Sequence, residues 1–199
     1  MDPARFYKHN VTDTCAIWNL LASTAFYGTS RTVGCTFSCT QFVVYECLYK
    51  PRSTKPSKQE EELRERFRKE LECRAIPSYK IAIQDLQAIE ILTNRKKIGK
   101  GELSSIVFAI QTRQAFLSDD KGAIKLALTE LDSKMVQSTS LLFGWLFFHD
   151  HLADHQKEQI ILDLETHGRS MRQDFEEAYN HALQFKLMAQ NNTGNQSNS

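Results

Sequence analysis

The segment ELSSIVFAIQTRQAFLSDDKGAIKLALTEL, residues 102–131, decides how the rest of the chain is read. Leu103, Ile106, Val107 and Ile110 recur at i, i+3, i+4 and i+7, which predicts a helix with one apolar face over about Glu102–Arg113. Ala115-Phe116-Leu117 follows at once as a short apolar strand, and Ile124, Ala127, Leu128 and Leu131 then resume the helical spacing. Helix, short buried strand, helix is the pattern of a layered α/β structure.

The same unit opens the chain. Val11-Thr12-Asp13 ends a strand, and Cys15, Ile17, Trp18 and Leu21 mark the helix after it. Val33–Phe37 reads as a second strand, feeding a helix that contains Phe42, Val43, Tyr45, Glu46 and Leu48, and Lys134-Met135-Val136 as a fourth strand. Short strands alternating with helices predict an α/β fold, a central parallel sheet covered on both faces. Lys50–Arg74 interrupts this with nine Lys/Arg and six Glu. Ser57 and Glu60 have the spacing of a capping box, and Leu63, Phe67 and Leu71 form only a narrow apolar stripe. Glu60/Arg64, Glu62/Arg66 and Glu65/Lys69 stand in the favourable i,i+4 order, so a solvated helix standing on the domain is expected. Gly168 should stop a later helix, and Phe175, Ala178, Tyr179 and Ala182 form a last packing stripe. These readings give a single domain over residues 1–187. The polar tail, 188–199, is expected to be disordered for want of large apolar residues beyond Gln190.

Among 199 residues, 25 Lys+Arg against 24 Asp+Glu leave a formal charge of +1, which excludes a polybasic nucleic-acid coat. With 41% hydrophobic residues the chain can bury a real core. Cysteines 15, 35, 39, 47 and 73 are odd in number and lie inside periodic segments, as reduced thiols of a cytoplasmic protein would. Residues 1–10 lack the apolar run of a signal peptide, and Leu141–Phe148 is too short to cross a bilayer.

Ligands of a parallel sheet gather beyond the carboxyl ends of its strands. Asp13 ends the first strand, and Asp119 and Asp120 follow the strand at 115–117. Glu102 opens a helix after the turn Gly99-Lys100-Gly101, and Glu46 lies in the helix after the second strand. Carboxylates from separate parts of the chain would therefore meet at one edge, where a hard divalent cation is the usual remedy for their repulsion. Mg²⁺ or Mn²⁺ there is competent for phosphodiester hydrolysis. The competing reading of the same residues is ordinary helix capping and dipole complementation.

Four segments carry a resemblance: Val11-Thr12-Asp13-Thr14-Cys15-Ala16-Ile17, Val43-Val44-Tyr45-Glu46-Cys47-Leu48, Gly99-Lys100-Gly101-Glu102-Leu103-Ser104-Ser105-Ile106-Val107-Phe108-Ala109, and Ala115-Phe116-Leu117-Ser118-Asp119-Asp120-Lys121-Gly122-Ala123. In this order they resemble the four acidic motifs of the PIN-domain family, over about residues 6–185. The resemblance implies a PIN-like three-layer α/β fold and a Mg²⁺- or Mn²⁺-dependent endoribonuclease, the best known members being toxins of toxin–antitoxin pairs. It further implies an antitoxin partner covering the site and a homodimer. On this reading Asp13, Glu46, Glu102 and Asp120 form the catalytic acidic cluster. Asp13, Glu102 and Asp120 hold the metal, Asp119 assists or replaces Asp120, and Glu46 completes the shell or positions the attacking water. Thr14 and Ser118 match the family's small hydroxyl residues, which hold a carboxylate or a water. The same carboxylates would serve a PIN-like nuclease acting on DNA, and a catalytically silent interaction or RNA-holding module is the alternative of a different class. The charged insertion at 50–74 and the helical C-terminus go beyond the compact toxins.

Arg95, Lys96, Lys97 and Lys100 precede Glu102 and read either as a phosphate-steering patch for an RNA substrate or as cations at a helix end. His149, His151 and His155 lack a nearby Cys and read as polar caps of a helix end rather than zinc ligands. Cys35 and Cys39 read as buried thiols, and Trp145, Phe147 and Phe148 as core or dimer interface rather than a base-stacking platform.

Overall fold

The computed structural model describes residues 2–51, 55–82, 84 and 99–194, with side chains described through residue 189. Strands β1 (His9–Thr12), β2 (Thr36–Thr40), β3 (Ser78–Tyr79), β4 (Ala115–Leu117) and β5 (Val136–Gln137) form one parallel sheet in the order β3-β2-β1-β4-β5. Helices α1 (Thr14–Ala22), α2 (Thr24–Thr32), α3 (Gln41–Val44), α4 (Lys58–Glu72), α5 (Lys100–Thr112), α6 (Lys121–Glu130), α7 (Thr139–Phe148), α8 (Gln156–Thr166) and α9 (Arg172–Gly194) surround it. A π-helical turn, Tyr45–Tyr49, prolongs α3. The expected α/β class and parallel sheet are present.

The period of two along each strand sorts its side chains between two cores. Val11 and Phe116 are in register and face Ile106, Phe108 and Ala109 of α5 and Ala123 and Ala127 of α6. Phe37, Cys39 and Leu117 face the other way, into the larger core built by Ile17, Phe26, Phe67, Phe143, Ile160 and Phe175. Phe143 stacks on Phe175 with ring centroids 4.4 Å apart, so the last helix is part of that core. No helix among the described residues is long and apolar enough to cross a membrane.

The chain leaves β1 toward β2 and β3 on one side, then returns to β4 and β5 on the other. Strand order therefore reverses between β1 and β4, and the crevice beyond the carboxyl ends of those two strands is where such sheets bind ligands. Asp13 follows β1 and Ser118-Asp119-Asp120 follow β4.

Several expectations need correction. The second strand is Thr36–Thr40, not Val33–Phe37. Val33 instead caps a helix, α2, that the apolar periodicity does not announce, and Gly34 at φ 88° makes the turn that only then delivers the strand. Lys134 and Met135 lie in a 3₁₀ turn, leaving Val136–Gln137 as the strand. Strand β3 was not foreseen; its two exposed residues carry no apolar signal. Helix α4 is capped by Ser57 and makes all three expected ion pairs, but it does not merely stand on the domain. Leu63 is 3% and Phe67 0% exposed, Phe67 meets Trp18 edge-on at 6.1 Å, and Arg66 donates to the Leu21 and Ala22 carbonyls at the end of α1. The C-terminal helix also runs through Gly194 rather than fading from 188, because extending an established helix adds a hydrogen bond per residue without a new nucleus.

His149 and His155 cap helix ends, and His149 and His151 lean on Trp145, itself 5% exposed and packed on Phe6. Cys35 and Cys39 are buried free thiols, whereas Cys73 is exposed.

Candidate functional site

Asp13 leaves β1 with extended backbone and caps α1, accepting the Ala16 N–H at 2.8 Å through Oδ1. Its Oδ2 accepts the Ser118 hydroxyl. The same Ser118 oxygen takes the Asp120 N–H at 3.0 Å, so one hydroxyl links the ends of β1 and β4. Asp120 caps α6 through Oδ1, 2.7 Å from the Ala123 nitrogen. The capping expected of these two aspartates is real, and it uses one oxygen of Asp120; among the described residues no hydrogen bond reaches the other.

Glu102 and Glu46 arrive from α5 and from the π-turn. Glu102 Oε2 accepts the Gly99 N–H at 2.7 Å, the reciprocal half of a capping box. Glu46 accepts the Thr14 hydroxyl at 3.0 Å and the Gly101 N–H at 3.1 Å. A Cβ at Gly101 would lie 2.2 Å from Glu46 Oε2, so this glycine is the condition for the carboxylate to reach the helix N-terminus. Gly101→Ala is expected to expel the Glu46 carboxylate, the mobile end of its side chain, with little cost in stability and with loss of Glu46-dependent activity. Unchanged Glu46-dependent activity would contradict that.

Small hydroxyls fasten this helix terminus to the sheet. Ser105 donates to the Thr12 carbonyl at 3.0 Å, the residue before Asp13, and Ser104 shares a 2.6 Å hydrogen bond with Thr40 at the end of β2. Ser104 and Ser105 are fully buried. Their small side chains let α5 approach both strand ends, which brings Glu102 toward Asp13 and the Gly101 N–H to Glu46.

Glu102 is the carboxylate that links the others, repelling Asp13 and being repelled by Asp120 and Glu46. Burial is the main cause that raises Asp13 from the usual 3.8 to about 7; the Ala16 and Ser118 hydrogen bonds oppose it, and Asp119 and Glu102 add repulsion. Glu102 is raised first by burial, then by Asp120 and Glu46, with Lys50 opposing. A folded-state pKa above the unfolded one means the native state holds the Asp13 proton more tightly. Its contribution is therefore fully present below about pH 4 and is lost as pH rises to about 7. In EDTA, unfolding free energy should decline across that window by up to about 1.4 kcal/mol per pH unit, and Asp13→Asn should flatten the decline. Equal slopes for the two proteins would refute the assignment.

Asp119 repels Asp13 from a hydrogen-bonded setting of its own. Its Oδ1 accepts the Thr139 N–H at 2.9 Å, and its Oδ2 accepts the Thr139 hydroxyl at 2.6 Å and the Asn19 amide at 2.7 Å. Arg169 extends this chain, donating to Asn19 Oδ1 and to Cys15 Sγ. Asp119 thus braces α1 and α7, with both of its oxygens engaged in hydrogen bonds, as are those of Asp13 and Glu46. Thr14 and Ser118 hold carboxylates, Glu46 and Asp13 respectively. Arg95, Lys96 and Lys97 lie outside the described residues; Lys100 is exposed at the start of α5.

Lys100 lines a groove of about 760 Å³ together with Glu46, Lys50, Lys80, Phe42 and Tyr45. Lys50 and Lys80 were missed as site residues because nothing in their local spacing marks them; α3 and β3 bring them together. Ser104-Ser105 and Asn19 did leave a signal, as polar residues inside otherwise apolar helices.

Among the described residues no group of three His, Cys, Asp or Glu side chains is drawn together as a ready metal cage. The donor set still suits a hard cation. All four groups offer oxygen, each is fixed by a hydrogen bond, and Glu102 repels both Asp120 and Glu46. Mg²⁺ retains several waters and needs only one or two direct carboxylates, so these residues fit it without a closed cage. Burial and then Asp13 push the Cys15 thiol up to about 12. No protein-family model, curated protein or solved structure matches this chain.

Proposed function

We propose that the protein is a divalent-metal-dependent endoribonuclease with a PIN-like active site. What supports this reading is that Glu102 interacts electrostatically with Asp13, Glu46 and Asp120, which come from separate segments, with Asp13 and Asp120 following the two strands at the sheet's switch point. Asp13, Glu102 and Asp120 would hold Mg²⁺ or Mn²⁺. The bound ion would supply Lewis-acid activation of water and stabilisation of charge on the departing oxygen. Glu46, oriented by Thr14 and Gly101, would accept a proton from the attacking water. Ser118 fixes the Asp13 carboxylate and, through the Asp120 N–H, the start of α6.

The groove beside Glu46 supports a single-stranded polyanion as substrate. Lys50, Lys80 and Lys100 would follow the phosphates while the half-exposed Tyr45 offers a stacking face. Replacing Lys50 and Lys80 by Ala should reduce the slope of log binding constant against log salt by about 0.7 per lysine. An unchanged slope would remove the groove from the substrate path.

Attack by water, not by the ribose 2′-hydroxyl, leaves a 5′-phosphate and a 3′-hydroxyl. The test is cleavage of end-labelled single-stranded RNA, structured RNA and single-stranded DNA with Mn²⁺, Mg²⁺ or EDTA. Metal-dependent RNA products with 5′-phosphates are expected. A 2′,3′-cyclic phosphate, or activity that survives EDTA, would overturn the proposal, and cleavage of DNA alone would reassign the substrate.

A further inference from the structure

Arg169 follows the last turn of α8. Gly168 at φ 70° ends that helix, and the Arg169 N–H returns to the Leu164 carbonyl at 2.9 Å, which fixes the backbone carrying this side chain. The half-buried guanidinium is fixed as well. Its Nε donates to Asn19 Oδ1 at 2.7 Å and its Nη2 to Cys15 Sγ at 3.2 Å, while Nη1 makes no hydrogen bond to another described residue.

What this guanidinium lacks is a carboxylate. Arg64, Arg66, Arg68 and Arg172 each hold an ion pair with a glutamate, whereas among the described residues no carboxylate lies within ion-pair distance of Arg169. Arg169 lines a groove of about 320 Å³ with Glu165, but Glu165 gives both oxygens to Arg172, at 2.7 and 2.8 Å. Burial raises Asp119 and Arg169 is among the groups that oppose the rise, yet both Asp119 oxygens are used by Thr139 and Asn19. A fixed cation with an unused end asks for an anion from outside the chain.

Its position says which anion. Burial and then Asp13 raise the Cys15 thiol, Arg169 opposes them, and Asp119 and Asp120 add to the rise, so Arg169 stands at the Asp13 and Asp120 end of the acidic cluster. Lys50 stands at the other end. It lines the groove beside Glu46 with Lys80 and Lys100, and it is the cation that opposes the rise of Glu102, which burial causes first. A strand laid over the carboxylates therefore meets a cation on each side of them, and the anion an RNA strand presents on both sides is a phosphodiester.

We infer that Arg169 binds an RNA phosphate on the opposite side of the scissile bond from the phosphates followed by Lys50 and Lys80. The inference rests on the nuclease reading and adds to it a substrate that spans the cluster from one cation to the other.

Steady-state Mn²⁺-dependent cleavage of a single-stranded RNA that the parent cuts at one mapped bond, with one neutral methylphosphonate linkage introduced at a time, tests the inference. In the parent, a neutral linkage on either side of the cut should raise KM by about tenfold, the factor that about 1.4 kcal/mol of contact supplies. Arg169→Gln should raise KM on unmodified RNA about as much with kcat retained, as loss of uniform binding does, and should no longer sense the neutral linkage on one side. The Lys50→Ala, Lys80→Ala double variant should lose the response on the other side. Arg169→Lys should recover most of the Arg169→Gln loss, because charge at one end of the side chain, not the fork to Asn19 and Cys15, faces the phosphate. Loss of response on the same side in both variants, a fall in kcat with KM unchanged, or Arg169→Lys no better than Arg169→Gln would overturn the inference. Should Arg169→Gln not fold, the parent decides: sensitivity on both sides of the cut supports the inference and sensitivity on one side overturns it. A parent that cuts no RNA overturns the nuclease reading and this inference together, whereas a parent that cuts but responds on one side overturns the inference alone.

Discussion

Glu102→Gln combined with Asp120→Asn is expected to lower Mn²⁺-dependent RNA cleavage by about 10²–10³-fold, the cost typical of removing a preorganised electrostatic group. The amides are chosen because they keep the local structure. Asn caps a helix as well as Asp does, and Gln completes a capping box as well as Glu, so the Ala123 and Gly99 N–H groups keep their acceptors. What disappears is charge. Because Glu102 is raised partly by Asp120 and Glu46, removing two charges relieves repulsion, and the double variant should be no less stable than the parent at pH 8 in EDTA. Lost cleavage with a retained melting point therefore assigns these groups to chemistry. Cleavage at the parental rate would leave them as helix caps.

The second large effect concerns the charged helix. Phe67→Ala is expected to destabilise the protein by about 3–5 kcal/mol, because a fully buried ring would leave a cavity among Trp18 and its neighbours. Glu65→Ala on the same helix removes exposed pairs to Arg68 and Lys69 and should cost under about 0.5 kcal/mol. Similar small values for both would mean that α4 only leans on the domain.

That helix shows where sequence patterns run out. Its ion pairs and its Ser57 cap were readable because they are local, three or four residues apart. Its depth in the core was not, because burial of Phe67 depends on Trp18, which approaches from 49 residues away in the chain. The same division holds at the site. Strand β4 and helices α5 and α6 follow from apolar spacing, and Asp13, Glu102 and Asp120 from their places at strand and helix ends. Asp119 beside Asp120 shows no difference in sequence, yet the start of α7 ties it to Asn19 and Thr139, from where it still repels Asp13. Lys50 and Lys80 become neighbours of Glu46 only through the packing of α3 against β3. Helix α2 escaped because its nine residues hold few apolar groups, of which Phe26 is fully buried.

The account turns on whether these carboxylates hold a divalent cation. The most direct measurement is titration of Mn²⁺ into the metal-free protein at pH 8, followed by the electron paramagnetic resonance signal of free Mn²⁺. Loss of that signal on adding the parent protein, and its persistence with the Glu102→Gln, Asp120→Asn variant, is the predicted result. Mn²⁺ that stays free in both, or is bound equally by both, would contradict the account.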